Sequence, residues 1–103
     1  MWFGSSFDTT SNSLLGRSDS LPLGKPVAFV AHLNRPSTGE VVGLQLDVGG
    51  SLASWTGGKV IAGANLFGGV LPATAVFQAG TLTVRVVDIG GNLLSIGTVT
   101  ILP

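Results

Sequence analysis

Gly80-Thr81-Leu82-Thr83-Val84-Arg85-Val86-Val87-Asp88-Ile89-Gly90-Gly91-Asn92 is the stretch that decides the fold class. Leu82, Val84 and Val86 share one parity while Thr81, Thr83 and Arg85 take the other. That is the two-residue period of a strand with one buried and one solvated face. Asp88-Ile89-Gly90-Gly91 then supplies turn chemistry. A Gly pair tolerates the positive φ of a tight turn, and the Asp before it accepts hydrogen bonds from the backbone that follows. The chain resumes near Asn92 and stays apolar to Leu102, so the segment predicts an antiparallel hairpin.

The same grammar extends outward. Val27, Phe29, Ala31 and Leu33 share a parity, and Asn34-Arg35-Pro36-Ser37-Thr38-Gly39 closes that run with turn formers. Val42, Leu44, Leu46 and Val48 alternate with Gly43, Gln45 and Asp47. A short strand is predicted over about 51–56, with Gly57-Gly58 turning the chain into another over about 59–66. Gly68-Gly69 and Pro72 punctuate again, and a further strand is predicted over about 73–78. With 81–87 and about 92–102 this makes about seven strands, spaced as in an antiparallel β-sandwich. In the last strand Leu94 and Ile96 hold one parity, Val99 and Ile101 the other. Either a β-bulge at Gly97 resets the register or the strand is buried on both faces.

An internal echo links two of these hairpins. Residues 39–54 and 80–95 align without gaps, matching Gly39/Gly80, Asp47/Asp88, Gly49/Gly90, Gly50/Gly91, Leu52/Leu93 and Ser54/Ser95. Convergence on one turn chemistry explains these matches more economically than duplication, and two copies are too few for a solenoid.

Residues 1–22 read differently from the sandwich domain expected over 23–103. Ser5, Ser6, Ser11, Ser13, Ser18 and Ser20 with Thr9, Thr10 and Asn12 make a polar extended arm without period, interrupted by Trp2, Phe3, Phe7, Leu14 and Leu15. One reading is a frayed terminus. The other is an arm docking on a neighbouring subunit through Trp2, Phe3 and Phe7, since disordered tails are poor in aromatics. Trp55 is open between a core Trp and a surface anchor. The candidate interface set is therefore Trp2, Phe3, Phe7, Leu14, Leu15 and Trp55.

Composition bounds the partners. The 103 residues carry five Lys+Arg and five Asp+Glu, no Cys and 10% charged residues, with a mean hydropathy of +0.57. A freely soluble small domain displays roughly 25–35% charged surface residues. The chain is expected to join an assembly with itself or a larger protein. Zero net charge speaks against nucleic acid or an anionic membrane as partner. No apolar run approaches the about 18–20 residues of a bilayer-spanning helix, and Met1-Trp2-Phe3-Gly4-Ser5-Ser6 lacks the basic start of a secretion signal.

The segment Ala79–Asn92, with Gly97-Thr98-Val99-Thr100-Ile101-Leu102-Pro103 after it, resembles the last two strands of bacterial and phage immunoglobulin-like domains. It departs from them in carrying Leu82 where that pattern has Tyr, and no Cys for an inter-sheet disulfide. The resemblance implies an Ig-like sandwich without catalytic residues, of the kind found in virion decoration, cement, tail or head–tail proteins. On that expectation the chain is made in a host cytoplasm, resides in a virion and packs on itself or a major virion protein. An adhesion or carbohydrate-binding Ig-like module of a cell-surface protein is the alternative.

No enzyme or cofactor chemistry is legible. His32 is the only imidazole, expected on a solvent face, and there is no Gly-x-Ser-x-Gly elbow. One Asp per turn at Asp47 and Asp88 is too few for Ca²⁺, which takes six to eight oxygens. Gly57-Gly58-Lys59 lacks the spacing and the Ser or Thr of a phosphate loop.

Overall fold

The structure is a computed structural model; it describes residues 1–8, 10–11, 13–48, 50–60 and 62–103, and for 51–53, 55–57 and 59 the backbone only. Among them ten strands form: β1 (Trp2–Gly4), β2 (Ser6–Asp8), β3 (Ser13–Leu15), β4 (Ser20–Pro22), β5 (Val27–His32), β6 (Val41–Val48), β7 (Ser51–Lys59), β8 (Leu66–Leu71), β9 (Gly80–Val87) and β10 (Leu93–Leu102). They build a three-stranded sheet β1-β5-β8, a five-stranded sheet β4-β10-β9-β6-β7 and the hairpin β2-β3. The all-β expectation holds, and every pairing is antiparallel except β4 with β10, which is parallel.

The central strands follow the alternation that predicts them. Leu82, Val84 and Val86 of β9 and Val42, Leu44, Leu46 and Val48 of β6 are all buried, and the residues between them face outward. Each such side chain stabilises the fold by about 1.5–3 kcal/mol when fully buried. A one-residue slip would expose the whole set, so burial fixes the register Leu44↔Val86 and Leu46↔Val84. Opposite them, Val27, Phe29 and Ala31 of β5 and Leu71 of β8 enter the same core, together with Phe3, Leu21, Leu94, Val99 and Ile101.

The N-terminal segment departs from the expected separate arm. β1 pairs with β5, placing Phe3 opposite Phe29, and β4 pairs with β10, placing Leu21 opposite Ile101. Phe3 and Leu21 are each 4% exposed. Two strands of three residues show no readable period, yet each inserts one side chain into the core. Between them, the β2-β3 hairpin covers the outer face of the three-stranded sheet. Phe7 lies so close over Gly68 that a Cβ there would meet its ring at 2.8 Å. Ala28, on that outer face, is fully buried.

Other boundaries shift for physical reasons. Gly57-Gly58 does not turn the chain but lies inside β7, where Gly57 is skipped between the pairs Gly43↔Thr56 and Val42↔Gly58. Gly58 at φ 138° absorbs this bulge, a backbone conformation unfavourable for other residues. Gly68-Gly69 likewise belongs to β8, because the Phe7 and Phe29 rings need the space that side chains there would fill. The strand expected at 73–78 is a 3₁₀ turn over Ala73–Ala75 after Pro72, with Ala75 and Val76 buried. The bulge of the last strand exists, but at Leu94: pairing steps from Leu93↔Val87 to Ser95↔Val86. Leu94 thereby turns inward with Val99 and Ile101, and Ile96 is left outside, 48% exposed. Gly97 instead admits the Met1 side chain, whose Cβ lies 2.6 Å from where a Cβ of residue 97 would stand.

Candidate functional site

The five candidate interface residues whose side chains are described, Trp2, Phe3, Phe7, Leu14 and Leu15, do not converge on one surface. Phe3 belongs to the core, and Phe7 and Leu14 are half-buried between the β2-β3 hairpin and its own sheet. Trp2 and Leu15 remain at the surface, 46% and 47% exposed. Trp2 stands edge-on to His32, ring centroids 5.1 Å apart, and the Arg17 guanidinium lies 4.2 Å over its ring. This fills part of the Trp2 surface from within the chain. His32 is exposed, at the end of β5. The backbone of Trp55 pairs with Leu44, and its side chain lies outside the described residues.

The outer surface of the five-stranded sheet offers more. Val41 is 53% exposed and Ile89 95% exposed, and together with Gly43, Gln45, Ser54 and Val87 they line an open depression of about 370 Å³. It arises because Gly43 carries no side chain on the outward parity of β6, beside the bulge in β7. On the same face of β10 Ile96 is exposed beside Arg85, and Leu102 is exposed at the far end of the strand. Sequence reasoning missed Val41 and Ile89. The available signal was an isoleucine between the turn formers Asp88 and Gly90, where no strand parity demands an apolar residue.

The rim of the depression is braced. Arg35 donates two hydrogen bonds to Glu40, at 2.7 and 3.0 Å, and a third to Asp88 Oδ2 at 3.3 Å. Asp88 Oδ1 accepts from the backbone N–H of Gly90 at 2.9 Å and of Asn92 at 2.8 Å. The Asn92 amide also donates to both Asp88 oxygens. Asn34 completes the link, its backbone N–H donating to Leu94 O and its side chain to Leu93 O. The β5–β6 loop is therefore tied to the β9–β10 turn that presents Ile89. These contacts set the local electrostatics. The Arg35 hydrogen bond holds the Glu40 carboxyl below its ordinary value, and the backbone and side chain of Asn92 do the same for Asp88. Asp47, its echo in the other hairpin, accepts from the Gly50 N–H at 3.0 Å. Both Asp side chains thus serve their turns.

Among the described residues, no group of three or more His, Cys, Asp or Glu side chains is placed to hold a metal ion. Nor is any helix among them long and apolar enough to cross a membrane. Compared with known family models, with curated proteins and with solved structures, the chain shows no match.

Proposed function

We propose that the chain is a non-enzymatic structural protein of a virion, a capsid decoration or cement protein or a tail or head–tail component, that packs on neighbouring subunits as an Ig-like sandwich. The observation that carries this reading is the exposure of large apolar side chains on the outer surface of the five-stranded sheet, Ile89, Val41, Ile96 and Leu102 among them. The chain has only 10% charged residues to keep such a surface in water. Large apolar patches mark interaction sites, and the cores of interfaces are depleted in charge. The hairpin β9-β10, whose sequence resembles the closing strands of phage Ig-like domains, lies at the centre of this surface.

The adhesion-module alternative needs an open aromatic platform; of the described aromatic side chains, the exposed Trp2 has Arg17 over its ring, and Phe77, 63% exposed, stands in no aromatic pair. Packing of subunits is the better supported reading. Its test is solution mass by size-exclusion chromatography with light scattering across a concentration series. A discrete oligomer or a uniform large particle is expected. A monomer at the highest concentration would remove self-packing. The virion assignment requires the chain at fixed stoichiometry in purified particles from its source, and its absence from them would overturn that assignment.

A further inference from the structure

We propose that two copies of this chain stack face to face through the outer surfaces of β6 and β9, about a two-fold axis lying along the groove between these strands. The inference rests on the reading of the chain as a self-packing protein and specifies the surface and the partner. The cross-strand register carries it: Gly43 pairs with Val87, Gln45 with Arg85 and Asp47 with Thr83, and all six residues face outward. A two-fold axis along that groove exchanges the two columns, setting one copy's β9 over the other's β6. Ile89, just beyond β9, then projects over Val41 and the hollow at Gly43. A two-fold contact is isologous and needs knob and hole on the same face, which is how Ile89 and the depression are disposed.

The charges agree with the shape. In the exchanged arrangement Arg85 of each copy stands over Gln45 of the other and within reach of its Asp47. The described outer face of β6 and β9 thus carries one cation and one anion and is complementary to itself. Among the described residues, the ion pairs of the chain are those of Arg35 with Glu40 and Asp88; Arg85 and Asp47 are in neither, and Asp47 Oδ1 accepts from the Gly50 N–H. Face-to-face sheets lie about 10 Å apart with strand directions within about 30° of each other, a gap that side chains of the size of Ile and Arg fill. The knob is also preorganised, since the hydrogen bonds of Asp88 hold its turn before any partner arrives.

The experiment is sedimentation velocity over a concentration series on the whole chain and on Ile89→Asp, with thermal unfolding of both. Ile89 is 95% exposed, so the variant is expected to unfold at the same temperature as the parent at concentrations where both are monomeric, but to self-associate at least about tenfold more weakly. A second measurement uses the absence of native cysteine. Ile89→Cys and Val41→Cys proteins, mixed under oxidising conditions, are expected to give a mixed disulfide dimer in higher yield than either protein alone. If the parent chain associates while Ile89→Asp does so equally well, or the mixture fails to cross-link, this interface is wrong and self-packing survives through another surface. A parent chain that stays monomeric overturns both.

Discussion

At the scale of single residues, two glycines matter for what approaches them. Gly68 leaves room for the Phe7 ring on the outer face of β8, and Gly97 admits Met1 into the core side of β10. A strand Gly signals either a bulge or a close approach. The sequence alone cannot tell which, because the approaching residue lies far away along the chain. Hence Gly97 read as a bulge when the bulge is at Leu94. Gly68→Ala is expected to destabilise by about 1–3 kcal/mol, the usual cost of overpacking, seen as a lower urea midpoint. The same change should cost clearly less in a Phe7→Ala background; equal costs in both would show that the ring is not what Gly68 accommodates. The carboxylates behave differently. Glu40 and Asp88 have folded-state values below their ordinary 4.5 and 3.8. A lowered folded value means that their stabilisation is complete above the unfolded value and is lost as pH falls through the folded one. The melting temperature should therefore drop as pH falls below the ordinary carboxylate range, and Asp88→Asn should flatten that drop. An unchanged pH profile in the variant would exclude Asp88 as a source of acid sensitivity.

At the scale of elements, legibility followed length. β6 and β9, each of eight residues with strict alternation, match their predicted spans within a residue or two. The three-residue strands β1 to β4 left no period to read, and their Ser-rich context resembles a tail. Their place is set by partners: β5 for β1 and β10 for β4. Removing residues 1–22 is therefore expected to abolish the cooperative unfolding transition, since it deletes an edge strand from each of the two larger sheets along with Phe3 and Leu21. Phe3→Ala alone should cost about 3–5 kcal/mol, whereas Leu15→Ala, at a position 47% exposed, should stay within about 0.5 kcal/mol. A truncated chain that still melted cooperatively would make the segment an appendage after all. The Gly-Gly pairs misled for a related reason. A pair of glycines punctuates a chain in most settings, but in β7 it accommodates a bulge and in β8 it lies beneath two phenylalanine rings.

At the scale of the molecule, the all-β class was legible because it rests on alternation summed over many residues. The candidate site was legible only in kind. Low charge and high hydropathy predict exposed apolar side chains, but their location depends on which parity each strand turns outward and on the turn holding Ile89. Neither can be deduced without the register. One feature of the topology bears on mechanics. β4 and β10 run parallel, with pairs from Thr100↔Ser20 to Leu102↔Pro22, and the ladder is continued by Leu23 N–H to Leu102 O and Thr100 N–H to Asp19 O. Tension applied between residue 20 and residue 102 pulls these strands past one another lengthwise, so their hydrogen bonds are loaded together. Tension between residues 41 and 59, the open ends of the β6-β7 hairpin, would instead open it one rung at a time. Single-molecule stretching with handles at these positions should give the higher rupture force along the 20–102 direction. The short parallel pair between residues 20–22 and 100–102 would then act as a tether, holding two distant parts of the chain against extension along their common direction.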